Sequence, residues 1–168
     1  MGHEMPPSVV QSINPIFIIV LAPVFAALWQ HMGERQPHSS TKFALGVFFC
    51  GLSFLVFVPF ARMEEAPLVS VVVLLLVATV GELFLSPIGN SLATRLAPQA
   101  FHTQMVALFL LSVAIGSAAA GSLAQLADVD DPGSTGPYFL ILGIVTILLS
   151  VVFFLLRRWI DKKMVGIH

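Results

Sequence analysis

The stretch Val80–Ala93, VGELFLSPIGNSLA, decides how the chain is read. It closes an apolar run that starts near Ala66, and it places a carboxylate, Glu82, and a proline, Pro87, inside that run. A run of this length suits a helix crossing a hydrocarbon core of ~30 Å. Glu82 then falls near the middle of the span, counting ~1.5 Å of rise per residue. A carboxylate there costs about 3 kcal/mol unless it faces protein, water or a cation. Glu82, Ser86 and Asn90 are spaced at i, i+4 and i+8 and share one helical face, with Gly81, Leu85 and Gly89 beside them. That face is expected to point toward a polar cavity or a neighbouring helix. A protonated acid that glues two helices together is the plain reading. An ionisable group that serves a pathway is the functional one, and it is preferred for a residue at this depth. Pro87 withdraws one N–H and frees the carbonyl of Leu83; Pro23 does the same for Ile19. Both are expected to be bends in helices that line a moving cavity.

The rest of the chain has the same character. Of 168 residues, 57% are apolar and 10% charged, whereas a soluble domain carries about a quarter charged residues. The predicted architecture is an all-α membrane protein with spans at about 13–30, 43–61, 66–93, 105–127 and 137–156. Helices are required because lipid cannot satisfy open backbone groups, and no strand-like alternation suggests a barrel. The intervening stretches HMGERQPHSSTK, RMEEAP, TRLAPQAFHT and DVDDPGSTG read as polar turns.

Orientation follows from the basic residues. With the tail 157–168 in the cytoplasm, Arg157, Arg158, Lys162 and Lys163 join Arg35, Lys42 and Arg95 on the inner side. Only Arg62 falls outside, together with Asp128, Asp130 and Asp131. This asymmetry obeys the positive-inside rule. The N-terminus is then outside, although residues 1–8 carry no basic n-region. Spans upstream of this segment, in a longer protein, are the expected source of that orientation.

Other chemistries find little support. The single cysteine, Cys50, lies in an apolar run and cannot form an intrachain disulfide. The histidines lie in loops or at ends, without metal-ligand spacing, so neither a metal nor a cofactor is expected. There is no basic cluster for nucleic acid. There is also no phosphate loop or nucleophile motif, and no enzyme is expected. In the fourth span Ser112, Gly116, Ala120 and Ala124 form a small-residue row suited to close helix packing. Phe109, one turn before Ser112, reads as a packing ring. Asn14, followed by Pro15, reads on its own as an ordinary helix start.

Three stretches carry a resemblance. QSINPIFIIVLAPVFAALW resembles the eighth helix of the proton-dependent oligopeptide transporter family, a branch of the major facilitator superfamily. VGELFLSPIGNSLATRLAP resembles its tenth helix and HTQMVALFLLSVAIGSAAAG its eleventh, with order and spacing kept. The apolar spans at 43–61 and 137–156 would be helices nine and twelve. The resemblance implies the C-terminal part of a proton-coupled di-/tripeptide transporter in the bacterial inner membrane. It implies that Glu82 faces the central cavity, meets the peptide's amino terminus and takes part in proton coupling. It assigns Asn14 and Ser86 to substrate contact and makes Pro87 a gating bend. Phe109 falls where the family usually has a tryptophan that shapes a side-chain pocket. It keeps a ring and lacks the indole N–H. The family's first seven helices have no counterpart here, so the chain is expected not to transport alone. The alternative is a small membrane protein that associates with other membrane helices through its small-residue face and Glu82.

Overall fold

In the computed structural model, residues 7–61, 63, 67–95, 101–125 and 132–163 are described. They form five long helices: α1 Pro7–Met32, α2 Ser39–Phe57, α3 Leu68–Arg95, α4 His102–Ala124 and α5 Pro132–Lys163. No strand occurs among the described residues. All five helices are long and apolar enough to span a membrane. The side chains of Asn90, Arg95, Lys162 and Lys163 lie outside the described residues, as do Arg62 and the aspartates of the 128–131 stretch.

Several helix ends differ from expectation, each for a local reason. α1 begins at Pro7, so Pro15 and Pro23 both sit inside it. Asn14 is therefore a mid-helix residue, and its reading as a helix start is overturned. α2 stops at Phe57 where a span to Ala61 is expected. Pro59 has no N–H to give to the carbonyl of Leu55, which accepts from the Val58 N–H at 3.2 Å instead. Turns follow at residues 58–61. α5 begins at Pro132, so PGSTG is helical where a turn is expected. A proline at the first helical position loses nothing, because the first N–H groups of a helix have no partner within it.

α1 ends at a glycine. Gly33 has φ +47°, the left-handed conformation that closes helices at low cost. A short 3-10 turn, Gly33–Arg35, follows. Gln36 then reaches back, its Nε2 donating to the carbonyl of Trp29 at 2.6 Å. Lys42 ties the first turn of α2 to the same place. Its ammonium donates to Gln36 Oε1 at 2.8 Å and stands 4.1 Å from the centre of the Trp29 ring.

α2 is the centre of the assembly, packed between α3 and α5. Both seams are glycine crossings. A Cβ added to Gly81 would lie 2.9 Å from the Gly46 carbonyl oxygen, and one on Gly46 would lie 3.0 Å from that of Gly81. On the other side, Gly51 and Gly143 face each other, each added Cβ falling 3.2 Å from the other's carbonyl oxygen. In lipid there is no hydrophobic drive between helices, so close van der Waals approach through small residues holds them together. Ser150 adds a buried hydrogen bond, donating to the carbonyl of Ala44 at 2.8 Å.

α4 packs on α3, and α1 packs on α3 with the Lys42–Trp29 contact to α2 beside it. The result is an open wall. Its broad lipid-type surface includes Leu155, Ile19 and Leu108, all exposed. Ser112, Gly116, Ala120 and Ala124, the expected packing row of α4, are exposed as well, and nothing lies within 4 Å of Cβ atoms built on Gly116 or Gly121. The small residues that join helices include Gly46, Gly51, Gly81, Gly89 and Gly143.

Candidate functional site

α1 and α3 meet at a polar cluster in an otherwise apolar seam. The Asn14 amide Nδ2 donates to Glu82 Oε2 at 3.3 Å. On the other side of the same amide, the hydroxyl of Thr79 donates to Oδ1 at 2.5 Å. Thr79 precedes Glu82 by three residues on α3, so both side chains fall on the α1-facing side of that helix. Thr79 is fully buried at 0% exposure, whereas Glu82 is exposed. The cluster therefore has a buried root and an open head. Among the described residues, no buried side-chain nitrogen or oxygen lacks a partner.

Asn14 offsets locally the cost of a carboxylate inside a membrane span. An ionised carboxylate only accepts hydrogen bonds, and an amide offers two N–H donors and a carbonyl acceptor. Asn14 gives Glu82 a donor from a neighbouring helix. The exposed part of the carboxylate is left open for a cationic or proton-donating group.

Aromatic rings also join α1, α2 and α3. Phe84, two residues beyond Glu82, is met by Phe25 and Trp29 of α1 with ring centroids 5.4 and 5.5 Å away. Phe49 of α2 stacks on it at 5.7 Å, with the planes 13° apart. Phe84 thus joins three helices two residues beyond Glu82 in sequence, and edge-on and offset rings of this kind are attractive pairings.

The other predicted residues are more dispersed. Ser86 is exposed one turn beyond Glu82, and Pro87 beside it is exposed too. Pro23 is exposed in α1, and both prolines lie within continuous helices. Phe109 of α4 lies over Gly89: a Cβ there would fall 2.6 Å from the ring's Cζ and 2.8 Å from its Cε2. That contact is about two turns past Glu82, and it seats α4 on α3. No group of three or more metal-ligating side chains occurs among the described residues.

Sequence reasoning missed Thr79 and the Phe84 junction. Thr79 lies in VVVLLLVATV, where it is the only polar side chain, at the i−3 position to the only carboxylate of α3. That spacing was the available signal. The ring junction spans three helices, and nothing local in the sequence marks it.

The architecture and this cluster define a class: a multi-pass helical membrane protein with an intramembrane carboxylate held between two helices. The chain belongs to the POT family, whose sequence profile matches residues 1–136. An uncharacterized transporter of Bacillus subtilis (strain 168), YclF, is 38% identical over 99% of this chain and 34% of its own length. A di-/tripeptide transporter of Lactococcus lactis subsp. lactis (strain IL1403) is 34% identical over 92% of this chain and 31% of its own. A crystal structure of a mutant peptide transporter POT in complex with alafosfalin superimposes with a TM-score of 0.83. It shares 38% identity, covering 93% of this chain and 32% of that one. The chain spans about a third of the length of these relatives.

Proposed function

We propose that this chain forms the Glu82-bearing wall of a proton-coupled di-/tripeptide transporter, the part corresponding to helices eight to twelve of the POT fold. The observation that carries this reading is the Asn14–Glu82 hydrogen bond across two membrane helices, with the carboxylate left exposed. Glu82 meets the peptide's amino terminus and takes part in proton coupling. Asn14 and Ser86 contact the peptide from α1 and from the next turn of α3, and Phe109 borders the pocket for its side chain. Pro23 and Pro87 are the places where α1 and α3 bend as the cavity opens and closes. The protein resides in the cell membrane with its N-terminus outside and its basic tail in the cytoplasm.

An open wall cannot alternate access by itself, because that motion needs a second bundle rocking around the site. The chain alone is therefore inactive in transport. The exposed small-residue row of α4 also favours a second reading, association with helices of another membrane protein. One experiment addresses both. The matching third of the Lactococcus lactis di-/tripeptide transporter is replaced by this chain, and dipeptide uptake under a proton gradient is measured beside the chain expressed alone. Uptake by the chimera and none by the chain alone is expected. A chimera that reaches the membrane and carries no dipeptide contradicts the reading.

A further inference from the structure

We infer that Thr79 is a positioning residue that anchors the Asn14 amide in either of its two orientations and so lets that amide follow the charge of Glu82. The inference rests on the reading of Glu82 as the substrate- and proton-linked carboxylate. Its geometric basis stands apart from that reading.

Thr79 Oγ1 lies 2.5 Å from Asn14 Oδ1 and 2.7 Å from the carbonyl oxygen of Leu75. A hydroxyl has one proton to give and lone pairs to accept with. Both neighbours as placed are acceptors, so the single proton is contested between them. The third member of the chain decides the contest. An ionised Glu82 can only accept, so it draws the NH2 side of the Asn14 amide, which turns Oδ1 toward Thr79. Thr79 must then donate. When Glu82 carries a proton it can donate in turn, and the amide can present Oδ1 to it. The NH2 then faces Thr79, which accepts while giving its proton to Leu75. A hydroxyl anchored on a backbone carbonyl can serve both orientations, and an aliphatic side chain serves neither. Because Thr79 is fully buried, water cannot replace it at the root of the chain. Thr79 is thus the hinge on which the Asn14 amide reads the charge of Glu82.

The test uses the full chain in detergent micelles. Its only asparagines are Asn14 and Asn90, so asparagine-selective 15N labelling gives two side-chain NH2 signals, and Asn14→Ala assigns them. Glu82→Gln is expected to move the Asn14 signal. In a Thr79→Val background, which keeps the branched shape and removes the hydroxyl, that response is expected to be lost. Thr79→Ser is expected to restore it. Thermal unfolding supplies a second readout: Thr79→Val and Asn14→Ala should be non-additive, because they break the same bond. An Asn14 signal that answers Glu82→Gln equally well with valine at this position overturns the inference, and so does strict additivity. Neither measurement depends on transport. If Glu82 proves dispensable for uptake, the functional reading falls while the role of Thr79 is judged separately.

Discussion

Replacing Gly81 by alanine tests the packing that holds Glu82 in place. The new Cβ would lie 2.7 Å from Cys50 Sγ, 2.9 Å from the Gly46 carbonyl oxygen and 3.0 Å from the Cys50 backbone nitrogen. Favourable contact distances for carbon are about 3.5–4.0 Å. Two of the three neighbours are backbone atoms of α2 and cannot rotate aside, so α2 and α3 must separate by a large fraction of an ångström. Overpacking of this kind costs about 1–3 kcal/mol. Alanine returns up to about 1 kcal/mol through its higher helix propensity. The net expectation is a loss of about 1–2 kcal/mol. Gly116→Ala is the control, since nothing lies within 4 Å of its added Cβ; it should be neutral or gain up to about 1 kcal/mol. Both variants are unfolded reversibly from mixed micelles with increasing SDS fraction, followed by circular dichroism. Equal stabilities for the two variants would refute the claim that the Gly46–Gly81 crossing holds the wall together.

Three further outcomes follow from the packing. Ser150→Ala removes the buried bond to the Ala44 carbonyl and should lower stability in the same assay by about 1 kcal/mol, the scale of interhelical hydrogen bonds in membranes. Lys42→Met in a Trp159→Phe background should shift the emission of Trp29, because the ammonium 4.1 Å from its ring is gone. The stability cost should be about 0.5–1 kcal/mol. Gly89→Ala should destabilise the chain when Phe109 is present, since the methyl meets the ring edge at 2.6 Å; in a Phe109→Ala background that cost should vanish, a coupling that thermal unfolding reads directly.

What the sequence made legible was the part governed by local rules. Five spans follow from the apolar runs, because a helix is the only open-ended way to satisfy a backbone in lipid. Glu82 stands out because a carboxylate is costly in hydrocarbon, and the structure gives it a hydrogen bond from Asn14. Helix ends were harder to place where proline acts in two ways. Pro59 ends α2 early by withdrawing an N–H, whereas Pro132 starts α5 where its missing N–H has no consequence. Pro15 does neither, and Asn14 before it is a helix-interior residue bound to Glu82. Pairings between helices were not legible at all. The row of small residues in α4 carries the stronger pattern, yet the crossings are made by single glycines in α2, α3 and α5. A lone glycine has no periodic signature, and its role emerges only when a second glycine arrives from another helix. Thr79 was overlooked for the same reason, since its partner lies 65 residues away on α1.

The measurement closest to the central claim is proton-driven dipeptide uptake by the chimera carrying Glu82→Gln, beside the same chimera with Glu82. Glutamine keeps the shape and removes the charge that pairs with an amino terminus or a proton. Proton-driven uptake is expected to be abolished while the protein remains in the membrane at normal abundance. Uptake at the unsubstituted rate would contradict it, and Glu82 would then be an interhelical tie held by Asn14 and nothing more.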